Sequence, residues 1–371
     1  MLRIAFREIS GFAGFAETTR DITTVAERCV SEVYATCFEN LAKRWGRPKT
    51  GFGILAMGKF GGIELNYSSD IDVVFFYGEE GYLNPRFSYR EFFTRLTEKI
   101  IQIFSATAEP LFRIDVRLRP EGAHGPLVRP LASMENYYAG YGETWERMAL
   151  IKARGVAGDR ELLYEFNQRL QPFIFPRAVS TDLLDEIAAL KGRIEKEIVG
   201  LEDLHRDVKL GYGGIREIEF ILQTLQLLHG ARNAFLQERN TLKTLAALEQ
   251  LQILPSDEVR LLSDAYIFLR AIEHRLQIQN EQQTHTLAVR REAWLGIART
   301  LGYEQVDAFA EVLRSHASAV RSAHHGPAAM GCPADSPVCY RHTSARPPPA
   351  RSSRKTVSPF DRLTPRFNQS G

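Results

Sequence analysis

The stretch GKFGGIELNYSSDIDVVFF, residues 58–76, constrains what this chain can fold into more than any other. Gly58, Gly61 and Gly62 admit a tight turn, and the turn leads through a short helical or irregular stretch into a run rich in Val and Phe, the pattern of a buried strand. Side chains two apart on a strand share a face, so Asp70 and Asp72 project together while Ile71 and Val73 point into the core. Adjacent carboxylates repel each other unless a cation sits between them. Hard divalent cations with oxygen ligands, Mg²⁺ above all, suit such a pair. An isolated Asp-x-Asp more often marks a solvated strand edge; a glycine turn, apolar strands and the pair in this order are far more specific.

A second strand extends the pattern. LFRIDVRLRP, residues 111–120, alternates, with Ile114, Val116 and Leu118 on one face and Arg113, Asp115, Arg117 and Arg119 on the other, until Pro120 stops it. Asp115 is therefore the candidate third carboxylate of a two-metal arrangement. Arg117 and Arg119 could neutralise charge on phosphate oxygens. Backbone N–H groups at Gly61 and Gly62, the Lys59 ammonium and the hydroxyls of Ser68 and Ser69 complete the candidate phosphate cradle.

Around this centre the periodicity changes character. Residues from about 16 to 44 read as a helix, capped by Thr18 or Thr19, with Val25, Cys29, Val33 and Cys37 one turn apart. GFGILAMG reads as a buried strand, and Arg90–Ser105 has helical spacing. From Ser133 onward the chain reads as almost wholly helical, with Tyr141, Trp145 and Met148 on one stripe. The expected architecture is α+β: a small mixed-sheet catalytic domain followed by an all-α helical bundle, helix-rich overall. The expected boundaries are a helical segment over 1–46, the catalytic domain over 47–160, the bundle over 161–321 and a disordered Pro/Ser/Arg-rich tail over 322–371.

Composition excludes several classes. A formal net charge of +2 points to neither nucleic acid nor membrane. Four cysteines with no CxxC spacing read as free thiols rather than a zinc site. Arg7, Glu8 and Glu17 interrupt any signal-peptide core, and no run approaches the ~20 apolar residues of a membrane span, so a cytoplasmic protein is expected. No Ser/His/Asp triad, HExxH or Walker loop is present, which agrees with metal-assisted transfer to a phosphate.

These motifs, with WERMALIKAR, KLGYGGIREIEFILQTLQL and FLRAIEHRLQIQNEQQTHTL, resemble the bacterial glutamine-synthetase adenylyltransferase/adenylyl-removing enzymes (glutamate-ammonia-ligase adenylyltransferases) from roughly Glu17 to Tyr303. That family lies in the DNA polymerase beta-like nucleotidyltransferase superfamily. The resemblance implies two tandem catalytic copies. One attaches AMP from ATP to a tyrosine of glutamine synthetase; the other removes it with inorganic phosphate, yielding ADP. ELNYSSDID and GGIREIEF look more like the N-terminal, adenylyl-removing copy, and a single copy is present here.

By the resemblance, Asp70, Asp72 and Asp115 match the metal-binding carboxylates, implied to hold two Mg²⁺ ions, and Gly61, Gly62 and Ser69 match the phosphate-contacting turn. Arg147, Lys152 and Arg154 are implied to reach a phosphate or the adenylylated tyrosine; a solvated charged face is the plainer reading of each. Lys209, Gly211, Gly213, Gly214 and Arg216 form a second glycine-rich helix entry, either an anion site or a structural turn. Expected partners are glutamine synthetase and a PII-type nitrogen-signalling protein. Alternatives are ATP-dependent adenylylation at the same site, or a truncated, catalytically silent binding module for either protein.

Overall fold

Two strongly apolar segments form the centre of a five-stranded mixed sheet, and shorter segments pair at its edges. The computed structural model describes residues 1–106, 110–178, 180–199, 206–280 and 282–325. Its first part runs α1 (Leu2–Ile9), α2 (Phe15–Trp45), β1 (Phe52–Ala56), α3 (Gly58–Gly61), β2 (Ile71–Tyr77), β3 (Tyr82–Asn84), β4 (Phe87–Ser88), α4 (Tyr89–Phe104), β5 (Ile114–Asp115), β6 (Val128–Pro130), α5 (Leu131–Tyr141), α6 (Thr144–Ile151) and β7 (Arg154–Gly158). β1 pairs antiparallel with β2 and β7, while β5 and β6 both lie parallel to β2. The β3–β4 hairpin stands apart.

Strand alternation divides the sheet into two buried faces. Phe52, Ile54, Ile71, Val73 and Phe75 pack against α2 and α4 through Ile22, Ala26, Val30, Phe92, Phe93 and Leu96. Leu55, Val74 and Phe76 face the opposite way, toward Trp145, Leu162 and Phe166. Asp72 is two residues before Val74 and shares that second face. Ser88 caps α4 by accepting from the Glu91 amide at 3.2 Å, while Glu91 accepts from the Ser88 amide at 2.8 Å.

The rest is helical: α7 (Arg160–Ile174), α8 (Thr181–Val199), α9 (Ile215–His229), α10 (Thr241–Gln250), α11 (Ser256–Asn280), α12 (Leu295–Thr300) and α13 (Val306–His325). Ile215, Ile218, Leu222, Leu269, Ile272, Phe309 and Val320 contribute to one continuous core. The α+β expectation, a mixed sheet followed by helices, agrees with this arrangement. Among the described residues no helix is long and apolar enough to cross a membrane.

Several local expectations change. Neither Thr18 nor Thr19 caps α2; Gly14 does, without a side-chain bond, and both threonines are buried inside the helix. The alternating strand at 111–120 pairs only over Ile114 and Asp115. The Asp115 carboxylate accepts from the Arg117 amide at 2.8 Å, which turns the chain out of the sheet. The helical stretch expected over MENYYAGYGETWERMALIKAR, Met134 to Arg154, breaks at Gly142, where a Cβ would lie 2.5 Å from the Phe173 ring. Tyr141 is consequently exposed while Trp145 and Met148 are buried, and Arg154 begins a strand. The tail expected from Ser322 begins inside α13, and beyond residue 325 it lies outside the described residues.

Candidate active site

Asp72 lies at the mouth of β2 and pairs in register with Asp115 on parallel β5. Asp70 precedes the strand by one residue. All three line a cavity of about 570 Å³. α3 and its turn form the near wall, where Gly58 has φ +50° and a Cβ there would come 2.9 Å from Asp72 Oδ2. Glycine is thus required at 58 because the carboxylate needs that space. The far wall comes from the helical part: Leu190 and Arg193 on α8, Lys209 on the turn before α9, Arg216 and Glu219 on α9, and Gln283.

The carboxylates are unequally neutralised. Arg113 Nε donates to Asp70 at 2.8 Å. Arg117 grips Asp115 with Nε at 2.8 and 3.0 Å and with Nη2. Among the described residues, no hydrogen-bond donor reaches the Asp72 carboxylate. Burial, then the neighbouring charges of Asp115 and Asp70, push its pKa up to about 7, with Lys209 and Arg117 pulling the other way. Such a carboxylate calls for a cation, and three hard oxygen donors fit Mg²⁺ in chemistry. The side chains are not closed around one point: among the described residues no group of three or more Asp, Glu, His or Cys is arranged as a metal-binding set. Asp70 and Asp115 are turned toward their arginines instead.

The other residues expected at the site divide sharply. Ser69 lines the cavity, with its Oγ accepting from the Asn66 amide at 3.0 Å. Lys59 also lines it, but its ammonium donates to buried Glu273 at 2.8 Å; burial lowers its pKa to about 8 against the pull of Glu273. Lys152 bonds Glu64 at 2.7 Å and Glu219 at 3.2 Å. Burial works against its charge, and Glu64 and Glu219 outweigh it, so the group is held protonated.

The Ser68 amide donates to Gln277 Oε1 at 3.0 Å. Gly61 and Gly62 are not in the cavity wall; a Cβ on Gly61 would lie 1.9 Å from the Lys152 carbonyl, so this glycine serves close backbone packing.

Three arginines expected at the site lie away from it. Arg119 is buried and donates to the carbonyls of Val116, Ala123 and Gly125 at 2.7–3.0 Å, because the turn after Asp115 wraps around it. Arg147 bonds the Phe173 carbonyl and covers the Phe173 ring. Arg154, carried off the helix onto β7, holds the carbonyls of Gly61 and Phe60 at 3.0 and 3.1 Å and pairs with Glu27. It braces the α3 turn from behind.

Sequence reasoning missed two features. An apolar wall of Leu118, Met148, Leu190, Ile194 and Phe220 makes part of the cavity suited to an aromatic ring. The ELN segment acts as a bridge: Glu64 accepts from Lys152 and from the Thr241 amide, and Asn66 Oδ1 accepts from Arg270 and lies 3.1 Å from His274 Nε2. The available signal was a glutamate and an asparagine between glycines and an apolar strand, where a charge needs a partner.

A mixed sheet with carboxylates on adjacent strands, roofed by a helical bundle, defines a nucleotidyltransferase-like fold. A family model described as glutamate-ammonia ligase adenylyltransferase matches residues 1–169, and one described as GlnD PII-uridylyltransferase matches residues 184–326. The chain is 40% identical over 326 residues to a bifunctional glutamine synthetase adenylyltransferase/adenylyl-removing enzyme of Thioalkalivibrio sulfidiphilus. It is 38% and 41% identical to enzymes of the same name from Nitrosococcus oceani and Aromatoleum aromaticum. Each match covers 85% of this chain and 34% of the relative. Over 85% of its length the chain is similar to glutamine synthetase adenylyltransferases, and it spans about a third of the length of the curated relatives it matches.

Proposed function

We propose that this chain removes AMP from an adenylylated tyrosine of glutamine synthetase by Mg²⁺-dependent phosphorolysis, releasing ADP. The observation that carries the reading is the in-register pair Asp72 and Asp115 at one end of a cavity with cations and an apolar wall at the other. Asp70, Asp72 and Asp115 would hold the magnesium. Bound there, magnesium would supply Lewis acidity at the α-phosphate and offset the carboxylate charge.

The chain's own residues do the remaining work. The apolar wall takes an aromatic ring and excludes water. Cationic side chains of the helical part face the phosphates across the cavity. An oxygen of hydrogen phosphate attacks the α-phosphorus, the P–O bond to tyrosine breaks in line, and the phosphate proton ends on the tyrosine oxygen. The two family models meet between residues 169 and 184, which supports a catalytic unit over 47–160 and a helical unit over 161–321. The second match is also what favours a PII-type nitrogen-signalling protein as regulator.

Adenylylated glutamine synthetase incubated with the chain, Mg²⁺ and phosphate tests the reading. ADP release supports it. ATP-driven adenylylation without ADP release from the modified protein reverses the direction. Inactivity in both directions with retained binding to glutamine synthetase makes the chain a binding module.

A further inference from the structure

We propose that the Lys209 ammonium, carried on the turn that enters α9, binds the attacking inorganic phosphate across the cavity from Asp72. The identity of the anion rests on the phosphorolytic reading above; the anion site rests on the geometry.

Three cations of this cavity are committed to carboxylates of the chain, while Arg193, which also lines it, is exposed. Lys59 bonds Glu273, Lys152 bonds Glu64 and Glu219, and Arg117 is locked on Asp115. Lys209 lines the same cavity, and among the described residues no carboxylate lies within ion-pair distance of it. A cavity lysine without a carboxylate partner is one whose counter-ion can come from outside.

The turn is built to hold that lysine still. Asp207 Oδ1 accepts from the amides of Lys209 and Leu210 at 2.9 and 2.7 Å, and Asp207 Oδ2 lies 3.3 Å from His285 Nε2. The Lys209 carbonyl accepts from the Arg216 amide at 3.1 Å. Gly213 has φ +65° and lies so close to α13 that a Cβ would meet the Ala317 carbonyl at 1.9 Å. The backbone bearing Lys209 is therefore fixed from three sides. α9 starts at Ile215, so the positive end of a 15-residue helix reinforces the same region. Lys209 and Asp72 line the same cavity, and the ammonium charge is felt at the Asp72 carboxylate. A compact ammonium suits a small, mobile phosphate that enters and leaves as the β-phosphate of ADP.

The test separates the site from the reaction. Phosphate is titrated into the whole chain without divalent cation and followed by ³¹P line width, for wild type, Lys209→Ala and Lys209→Arg. Lys209→Ala is expected to weaken binding about tenfold, the loss of one charge-assisted contact, and Lys209→Arg to restore most of it. Equal binding by wild type and Lys209→Ala, with unchanged melting temperatures, overturns the proposal. In turnover, Lys209→Ala is expected to raise the KM for phosphate about tenfold and leave the KM for adenylylated glutamine synthetase within about twofold. A rise confined to the protein KM overturns it. Lys209-dependent phosphate binding in a wild-type chain that releases no ADP upholds the anion site and refutes the phosphorolytic reading.

Discussion

Asp72 and Asp115 occupy paired positions on parallel neighbouring strands, so their carboxylates project from adjacent points of one sheet face. Asp72→Asn removes the charge without changing shape. On the proposed role of Asp72 in holding magnesium, it is expected to lower nucleotidyl transfer by at least ~10³-fold. The melting temperature in EDTA at pH 8 should hold or rise, because like-charge repulsion is relieved. ADP release and thermal unfolding read the two effects; activity near wild type refutes the role given to Asp72.

The same carboxylate predicts a pH dependence. Its folded pKa of about 7 stands above the ~3.9 of an unfolded aspartate. The folded state therefore holds the proton more tightly between those values. Its contribution is fully present below pH ~4 and is lost as pH rises through 7, on the order of a few kcal/mol. Urea unfolding in EDTA at pH 5.5 and 8 should show that loss in the contribution of this group, isolated by comparison with Asp72→Asn. Magnesium should stabilise more at pH 8 than at 5.5, since the cation competes with the proton. An equal magnesium effect at both pH values locates the ion elsewhere.

Glu8 ties α1 to the rest of the molecule. Its carboxylate lies 2.8 Å from Arg275, 3.1 Å from His274 Nδ1 and 2.6 Å from the Tyr67 hydroxyl, three residues before Asp70. Burial raises its pKa, but the His274 and Tyr67 hydrogen bonds and the Arg275 charge more than reverse this, to about 2. Glu8→Ala leaves Arg275 and His274 buried without their acid and is expected to destabilise by ~3–5 kcal/mol. In wild type this depressed pKa gives stability that is present above pH ~4.5 and lost as pH falls toward 2. Denaturant melts of the variant check the first claim; a change below about 1 kcal/mol contradicts it.

Gly61 has no room for a methyl group. A Cβ would sit 1.9 Å from the Lys152 carbonyl and 2.7 Å from the Ala56 carbonyl, both backbone atoms. Gly61→Ala is expected to destabilise by several kcal/mol, on the order of 3 or more, and to lower activity by displacing α3 from Asp72. Gly140, where a Cβ meets nothing within 4 Å, supplies the control, and Gly140→Ala should leave both properties nearly unchanged. Equal melting temperatures for the two variants would remove the packing argument.

Much of the fold was legible because local pattern carried it. β1, β2, α4 and the long helices α9 and α11 follow their apolar periodicities closely. The face shared by Asp70 and Asp72 followed from period two. Periodicity failed where one side chain redirects the backbone. Asp115 capturing the Arg117 amide ended a strand that alternation extended by several residues. Gly142 broke a helix that composition alone would continue.

Taken alone, the sequence determined which carboxylates belong together and which elements carry them, because strand register and glycine turns act over a few residues. It did not determine where the cations go. Arg119 and Lys209 read alike in a linear chain, yet the first is consumed by carbonyls of its own turn and the second faces a shared cavity. The destination of a charge depends on which partners converge from distant segments, as Lys59 meets Glu273 across 214 residues. Only the packing of the helical part against the sheet brings those partners together, and it is this packing that decides which charges are spent and which remain for a substrate.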